Sequence, residues 1–243
     1  MQTFFVDENM ISDGIVTIIG DDALHISRSL RMKAGQKIRV CIGDGTAHEC
    51  ELIGFSSNEV EARILSSKQS MSESPCRIHI FQALPKGDKL ESVVQKAVEC
   101  GAFSVTPFVS SRCVAKPTDS FDKKLLRLSK ISKEAATQCG RAIIPSVNPV
   151  LSFDKMLEEA SKSDICLFCY EGSGTLSLGK CLRKDVKDIS VIIGSEGGFS
   201  EEEAQKAEAN GHTLAGLGPR ILRCETASSF VLSCLAFYYE LSI

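Results

Sequence analysis

The stretch IGSEGGFSEEE, residues 193–203, places two adjacent glycines between a carboxylate and the start of a predicted helix. It continues the apolar run ISVII (189–193), which is typical of a buried strand. Ser200 and Glu203 have the spacing of a capping box, and Gly211 is placed to end the helix. A strand followed by glycines indicates that some group approaches the backbone too closely for Cβ atoms.

The chain around this stretch alternates strands and helices. RIHIFQAL precedes an amphipathic helix predicted over 89–100, and FSVTPFV precedes a basic helix near 122–139. DICLFCY and ISVIIG are continuous apolar runs, as expected of parallel strands buried on both faces. These patterns predict an α/β domain over residues 73–243. The last helix is expected to bury Ala227, Phe230, Val231, Cys234, Leu235, Tyr238 and Leu241.

In the first 72 residues, apolar and polar residues alternate with the period of strands. GIVTIIG, QKIRVCIG, HECELIGF and EVEARIL alternate like strands, and the GDG at Gly43–Gly45 predicts a tight hairpin. One short helix is expected to begin at Asp21 or Asp22, either of which is a suitable N-cap. The polar segment Ser66–Pro75 is predicted to be a linker. Residues 1–72 are therefore predicted to form a small β-barrel.

Composition excludes several classes of protein. The 243 residues carry a formal net charge of −3, which by itself does not indicate nucleic-acid binding. No apolar run approaches the ~20 residues that span a bilayer, and MQTFFVDENM lacks the pattern of a signal peptide. We therefore expect a cytoplasmic protein without a membrane segment.

The eleven cysteines raise the question of a metal site. Cys166 and Cys169 form a C-x-x-C, but residues three apart on a strand point to opposite faces and no second pair follows. The sequence predicts reduced thiols and no metal.

Three predicted strand ends carry unusual loops: YEGSG (170–174), GSEGGFS (194–200) and LGPRILRCETA (217–227). No P-loop is present, and both G-x-G starts lack the third glycine of a dinucleotide fingerprint. Backbone amides and carbonyls beside Leu217, Ile221 and Leu222 suit a flat heteroaromatic ring. The alternative is that the glycines only make tight turns.

IGSEGGFSEEE followed by LGPRILRCETA resembles the RsmE family, the ribosomal-RNA uridine N3-methyltransferases of the SPOUT superfamily. Further similar segments are VVQKAVECGA (93–102), SSRCV (110–114), EAATQCGRAIIPSV (134–147) and the H-x-x-R-x-L-R from His25 to Arg31. The resemblance implies a PUA-like β-barrel, residues 1–72, before a SPOUT methyltransferase domain, residues 73–243, with a C-terminal trefoil knot. It also implies a homodimer.

The activity implied is S-adenosyl-L-methionine-dependent methylation of N3 of a specific uridine in 16S ribosomal RNA, within the small ribosomal subunit or its RNA. The residues implied to bind the cofactor are Tyr170, Glu171, Ile193, Gly194, Glu196, Gly197, Leu217, Gly218, Ile221 and Leu222. Those implied to bind RNA are His25, Arg28, Arg31, Arg112, Gln138 and Arg141.

The catalytic candidates are Arg223 and Glu225. Deprotonated uracil carries negative charge on O2 and O4, which a cation such as Arg223 would stabilise. Glu225 is a base or an orienting group, or merely an acidic residue that the helix dipole favours. Glu196 is expected to hold its loop or contact substrate.

The sequence departs from the family pattern in three places. Ser195 replaces a usual proline, Cys224 replaces a common threonine, and MQTFF has no arginine. These departures leave the chemistry in place and remove one expected RNA contact. Two other functions stay open: a SPOUT ribose 2′-O-methyltransferase of transfer or ribosomal RNA, and a non-catalytic RNA-binding assembly factor.

Overall fold

The computed structural model describes residues 1–117 and 121–242 and divides into two compact units. The first unit contains residues 1–73 and 136–144, and the second contains residues 74–135 and 145–243. The sequence analysis assigned residues 136–144 to the second domain, whereas in the structure they cluster with the first unit. The predicted border between residues 72 and 73 stays a prediction.

A six-stranded sheet forms the first unit. Its strands are β1 (Thr3–Phe5), β2 (Ile11–Ser12), β3 (Ile15–Ile19), β4 (Lys37–Cys41), β5 (Thr46–Phe55) and β6 (Glu59–Gln69). Their order is β1-β4-β5-β6-β3-β2, with β1 parallel to β4 and every other pair antiparallel. Alternate residues such as Val16 and Ile18 of β3 fill the core, which confirms the four predicted strands.

Two details of the first unit differ from the sequence prediction. Helix α1 (Gly20–Leu24) has Ile19 as its N-cap, so Asp21 and Asp22 lie in the first turn. The reason is that the chain turns at Gly20, whose φ is +67°, directly after β3. β6 extends to Gln69, so the first part of the predicted linker is a paired strand.

A buried ion pair holds residues 136–144 to the first unit. The Arg141 guanidinium donates to Oε2 of Glu73 at 2.6 and 3.1 Å, and only 4% of the Arg141 side chain is exposed. The other Glu73 oxygen accepts from the backbone N–H groups of Ala142 and Ile143. Glu73 therefore anchors this segment, although it lies in the predicted linker.

The second unit contains an eight-stranded parallel sheet. Its strands are β7 (Arg77–Ala83), β8 (Ser104–Val109), β9 (Ser146–Val147), β10 (Leu151–Ser152), β11 (Ile165–Cys169), β12 (Leu176–Ser177), β13 (Asp188–Ile193) and β14 (Thr213–Gly216). The order is β10-β8-β7-β13-β11-β14-β12, with β9 beside β8. The adjacent positions of β13, β11 and β14 bring their carboxyl-terminal loops together.

The helices of the second unit match the sequence pattern closely. They are α2 (Lys89–Glu99), α3 (Phe121–Cys139, which runs into the segment 136–144), α4 (Phe153–Ala160), α5 (Leu178–Cys181), α6 (Glu201–Ala209) and α7 (Cys224–Ala236). The predicted capping box of α6 is confirmed, because Ser200 Oγ accepts from Glu203 N while the Glu203 carboxylate accepts from Ser200 N. Gly211, with a φ of +83°, follows the end of α6 as predicted.

The burial of α7 is only partly as predicted. Ala227, Val231 and Leu235 are buried, whereas Phe230, Cys234 and Tyr238 are half-buried. The prediction was wrong for Leu241, which is 74% exposed. The helix continues as a π-helix over Phe237–Leu241. Because a π-helix has a wider turn than an α-helix, Tyr239 rather than Leu241 is the buried residue of this segment. No helix within the described ranges is long and apolar enough to cross a membrane.

We expect Glu73→Ala to lower the free energy of unfolding by about 3–5 kcal/mol, because it removes the carboxylate that pairs with the buried Arg141 guanidinium and with two backbone N–H groups. Glu49→Ala is the matched control, since Glu49 pairs with Lys37 at the exposed surface, where water and salt screen the pair, and its loss should be much smaller. Urea denaturation measures both. Equal losses in the two variants would contradict the anchoring role of Glu73.

Candidate functional site

The three predicted loops line one pocket in the second unit. Its volume is about 640 Å³, within the usual range for small-molecule sites. It lies at the carboxyl ends of the parallel strands, where ligands bind in open α/β sheets. Side chains from all three loops line it, among them Tyr170, Glu171, Ile193, Glu196, Leu217, Ile221, Leu222 and Arg223.

The glycine-rich loop is packed against its own backbone. A Cβ atom on Gly194 would lie 3.1 Å from Gly198 Cα, and one on Gly198 would lie 3.0 Å from Glu171 Oε1. Gly198 also has a φ of +62°, which disfavours any other residue. The close approach of neighbouring chain segments therefore explains why these positions are glycines, which the sequence alone did not determine.

Buried groups fix both ends of this loop. The carbonyl of Gly194 accepts from Gln82 Nε2, and Gln82 is fully buried. The Phe199 ring packs 4.1 Å from Phe168 in the core. Glu203 accepts from the backbone N–H of Ser111 at 2.7 Å, which ties the segment after β8 to the start of α6. The loop is thus held by contacts within the chain.

Gly197 does not line the pocket. A Cβ atom there would lie 3.1 Å from Arg112 Cβ and 3.3 Å from the Arg112 carbonyl oxygen. The Arg112 guanidinium donates back to the Gly197 carbonyl at 3.1 Å. The prediction that Gly197 contacts the cofactor is therefore not supported by the geometry, because this glycine faces Arg112.

Lys89 and Glu196 form a charged pair in the pocket lining, and Glu225 lies beside Lys89. Lys89 Nζ donates to Glu196 Oε1 at 2.7 Å and lies 4.0 Å from Glu225 Oε2. Glu196 also accepts from the backbone N–H of Lys86 at 3.1 Å. Burial raises the pKa of Glu196, but the bonds from Lys89 and the backbone outweigh it, so this pKa is lowered. The Lys89–Glu196 bond raises the pKa of Lys89.

Glu225 is ionised at neutral pH. A hydrogen bond from its own backbone N–H lowers its pKa most, burial opposes this, and the Cys224 thiol and Lys89 add to the lowering. The thiol donates to Glu225 Oε2 at 3.2 Å, and burial raises the pKa of Cys224 to about 12. A carboxylate with a lowered pKa accepts protons poorly, so Glu225 is better suited to orienting groups than to acting as a base.

Apart from Gly197, every residue predicted to bind the cofactor lines the pocket, as do Ser195 and Arg223. Arg223 is exposed at the start of α7. Lys89 and Glu203 were not among the site residues predicted from the sequence, although Glu203 was predicted as part of a capping box. The signal for Lys89 was a cation in the first turn of a helix, where the helix dipole disfavours positive charge. No local signal marks Glu203 beyond its capping role.

The residues predicted to contact RNA have different surroundings. His25, Arg28 and Arg31 are exposed, and His25 and Arg28 lie in the π-helical segment His25–Ser29. Gln138 is also exposed. The prediction was wrong for Arg141, because its side chain is buried against Glu73.

The cysteines are free thiols. Cys166 Sγ donates to the carbonyl of Ala160, and burial strongly raises the pKa of Cys169. Across residues 1–117 and 121–242, no group of three or more His, Cys, Asp or Glu side chains is placed to hold a metal ion.

Comparison with known proteins places the chain in a defined group. Residues 72–236 match the RNA methyltransferase domain family, and residues 18–65 match the RNA methyltransferase PUA domain family. The ribosomal RNA small subunit methyltransferase E of Bacillus subtilis is 35% identical, over 99% of this chain and 98% of that protein. That of Mesomycoplasma hyopneumoniae is 30% identical, over 96% and 98%.

A solved structure is similar throughout its length. It is a ribosomal RNA small subunit methyltransferase E from Neisseria gonorrhoeae bound to S-adenosyl methionine. Its TM-score is 0.87 at 29% identity, and the match covers 98% of each chain.

We expect Gly197→Val to lower the free energy of unfolding by about 1–3 kcal/mol, because the new side chain meets the Arg112 backbone and overpacks the loop. The control is Gly179→Val, since a Cβ atom at Gly179 meets nothing within 4 Å. Urea denaturation compares the two. If Gly197→Val lowered the free energy of unfolding no more than Gly179→Val, the close packing of Gly197 against Arg112 would be contradicted.

Proposed function

Because this chain belongs to the ribosomal RNA small subunit methyltransferase E family, we propose that it methylates N3 of a uridine in small-subunit ribosomal RNA. S-adenosyl-L-methionine is the methyl donor. The observation that carries the proposal is the pocket of three strand-end loops, whose lining includes the bonded pair Lys89 and Glu196. Ribosomal RNA as substrate means that the reaction takes place in the cytoplasm.

The pocket residues fit this cofactor. Leu217 and Leu222 offer aliphatic faces to an adenine ring, and the exposed backbone of the loops offers donors and acceptors to its edge. Glu196 lines the pocket as a carboxylate whose pKa is lowered, and its negative charge would favour a cationic sulfonium. When bound, S-adenosylmethionine supplies an electrophilic methyl group.

The chain contributes mainly positioning and charge. Aligning N3 with the methyl group lowers the barrier by an amount that reaches roughly 7–11 kcal/mol in well-oriented systems. The Lys89–Glu196 bond and the packed glycines hold the loop that forms one wall. Glu225, ionised beside Cys224, orients groups at the start of α7.

The first unit is proposed to position RNA as a PUA-like domain of residues 1–72. His25 and Arg28 are exposed on a π-helical segment, a conformation that is often found at functional sites. Arg31 follows with a φ of +52°, a strained backbone for a non-glycine residue. Three basic side chains on one irregular segment suit the phosphates of an unpaired RNA strand.

We further propose the trefoil knot of the SPOUT superfamily for the C-terminal part of the second unit. The strand order supports it, because β14, the last strand of the chain, lies between the earlier strands β11 and β12. A crystal structure would contradict this proposal if no segment between residues 160 and 242 passed through a loop of the chain.

Small ribosomal subunits from a strain without the gene should lack 3-methyluridine, which the purified protein should restore. Mass spectrometry of digested nucleosides measures the modification. A new linkage resistant to alkaline cleavage would instead indicate ribose 2′-O-methylation and contradict N3 as the target. Cofactor binding without any transfer would favour an assembly factor.

Arg28→Ala combined with Arg31→Ala should weaken RNA binding and lower the salt slope by about 1.5, because each phosphate contact contributes about 0.7–0.9. Affinity for the cofactor should stay unchanged. Binding titrations at several salt concentrations measure the slope. Lys123→Ala with Lys130→Ala, at exposed positions of α3, is the control pair. An unchanged slope in the Arg28 and Arg31 variant would contradict RNA contact by this segment.

The exposed apolar face at the C-terminus supports a homodimer. Phe237 and Leu241 are 64% and 74% exposed beside the half-buried Phe230, Cys234 and Tyr238. Such a patch favours burial against a second copy. We expect light scattering to give twice the mass of the chain at micromolar concentration, and Phe237→Glu to shift it towards the monomer. A fully active wild-type monomer would contradict the dimer.

A further inference from the structure

Lys89 occupies a position that the stability of its helix does not explain. It is the first residue of α2, where the positive end of the helix dipole disfavours a cation. Its side chain turns to the pocket, which it lines, and Nζ reaches Glu196 at 2.7 Å. The requirement for a lysine here comes from the pocket.

The Lys89 ammonium has N–H donors that can reach a molecule bound in the pocket. A lysine has three N–H donors, and Glu196 Oε1 takes one of them. Glu225 Oε2, at 4.0 Å, is beyond hydrogen-bond distance. The side chain is 34% exposed, so the remaining donors are accessible from the pocket.

A reaction that passes through a uracil anion requires a cation near Lys89, because carboxylates surround this position. Uracil that has lost its N3 proton carries negative charge, which the carboxylates of Glu196 and Glu225 would repel. Lys89 lines the pocket together with Glu196, to which it is bonded at 2.7 Å, and lies 4.0 Å from Glu225. Arg220 and Arg223 also line the pocket, but both are exposed and neither has an ion pair in the described part of the chain.

A catalytic cation must be held in a fixed position to stabilise a transition state. Glu196 fixes Lys89, and the backbone N–H of Lys86 fixes Glu196 in turn. Arg223, the cation predicted from the sequence, makes no ion pair of this kind with the described residues. The raised pKa of Lys89 keeps it charged throughout the neutral range.

We propose that Lys89 is the catalytic residue that donates a hydrogen bond to a uracil carbonyl oxygen while N3 is methylated. The proposal rests on the uridine N3 activity proposed above. The N3 proton goes to solvent, the N3 electron pair forms the bond to the methyl carbon, and the electron pair of the carbon–sulfur bond returns to sulfur. Lys89 stabilises the negative charge on O2 or O4 during this exchange and transfers no proton.

The test compares Lys89→Met with the wild type on small ribosomal subunits that lack the modification. Removing one preorganised donor typically lowers kcat by roughly 100- to 1000-fold, and we expect a loss of that size. The dissociation constant for S-adenosylmethionine, measured by calorimetry, should rise much less than kcat falls, because the backbone N–H of Lys86 still holds Glu196 and the interaction lost from kcat arises in the transition state. Lys96→Met, at an exposed position of α2 outside the pocket, is the matched control.

A second substrate separates charge stabilisation from a structural role. Subunits from cells grown with 5-fluorouracil contain 5-fluorouridine, whose N3–H is more acidic and whose anion needs less stabilisation. The defect of Lys89→Met should shrink by about tenfold on this substrate, as expected when proton loss is part of the barrier. Lys89→Arg, which keeps the charge, should retain more activity than Lys89→Met on ordinary subunits.

Three results would overturn the role of Lys89: a kcat of Lys89→Met within about threefold of the wild type, an equal defect on both substrates, or a loss confined to cofactor affinity. The wild type is the separate test of the underlying activity. If the wild type formed no 3-methyluridine, the proposed function would fail first. If it did and Lys89→Met matched it, only the assignment of Lys89 would fail.

Discussion

The carboxylate of Glu196 is the contact on which the pocket depends. It joins the glycine-rich loop after β13 to the amino end of α2 through Lys89 Nζ and the backbone N–H of Lys86. The loop cannot relax outwards without breaking these bonds, and there is little space inside it, because a Cβ atom on Gly194 would lie 3.1 Å from Gly198 Cα. A charged side chain in a glycine-rich loop thus sets both the shape and the charge of the site.

The parallel sheet determines where this contact can act. Because β13 lies between β7 and β11, its loop faces both the start of α2 and the loop that begins at Tyr170. β14, on the other side of β11, supplies the segment that contains Leu217 and Leu222. Strand order therefore brings together residues that are more than a hundred positions apart in the chain.

Much of this arrangement could be predicted from the sequence. The period of the hydrophobic residues and the capping residues predicted α2, α6 and the strands. The glycines after the strand ends indicated the three loops of the pocket. These features depend on neighbouring residues, which a sequence displays directly. The resemblance to a known family supplied the chemistry, which spacing alone left open.

Other features depend on partners that are distant in sequence. Arg141 carries the charge expected of an RNA contact, but Glu73, 68 positions away, buries it in an ion pair. Gly197 has the same local context as Gly198, and only the fold places it against Arg112. Lys89 resembled an ordinary surface residue until the structure brought Glu196 to it.

The central claim is that this charged pocket binds S-adenosylmethionine, and calorimetric titration tests it most directly. The wild type should bind the cofactor, and Leu222→Glu should weaken binding at least about tenfold, because it places a carboxylate in the aliphatic lining. Leu126→Glu, at a 73% exposed position of α3, should leave binding unchanged. Absence of binding to the wild type, or equal affinity in Leu222→Glu, would contradict the account.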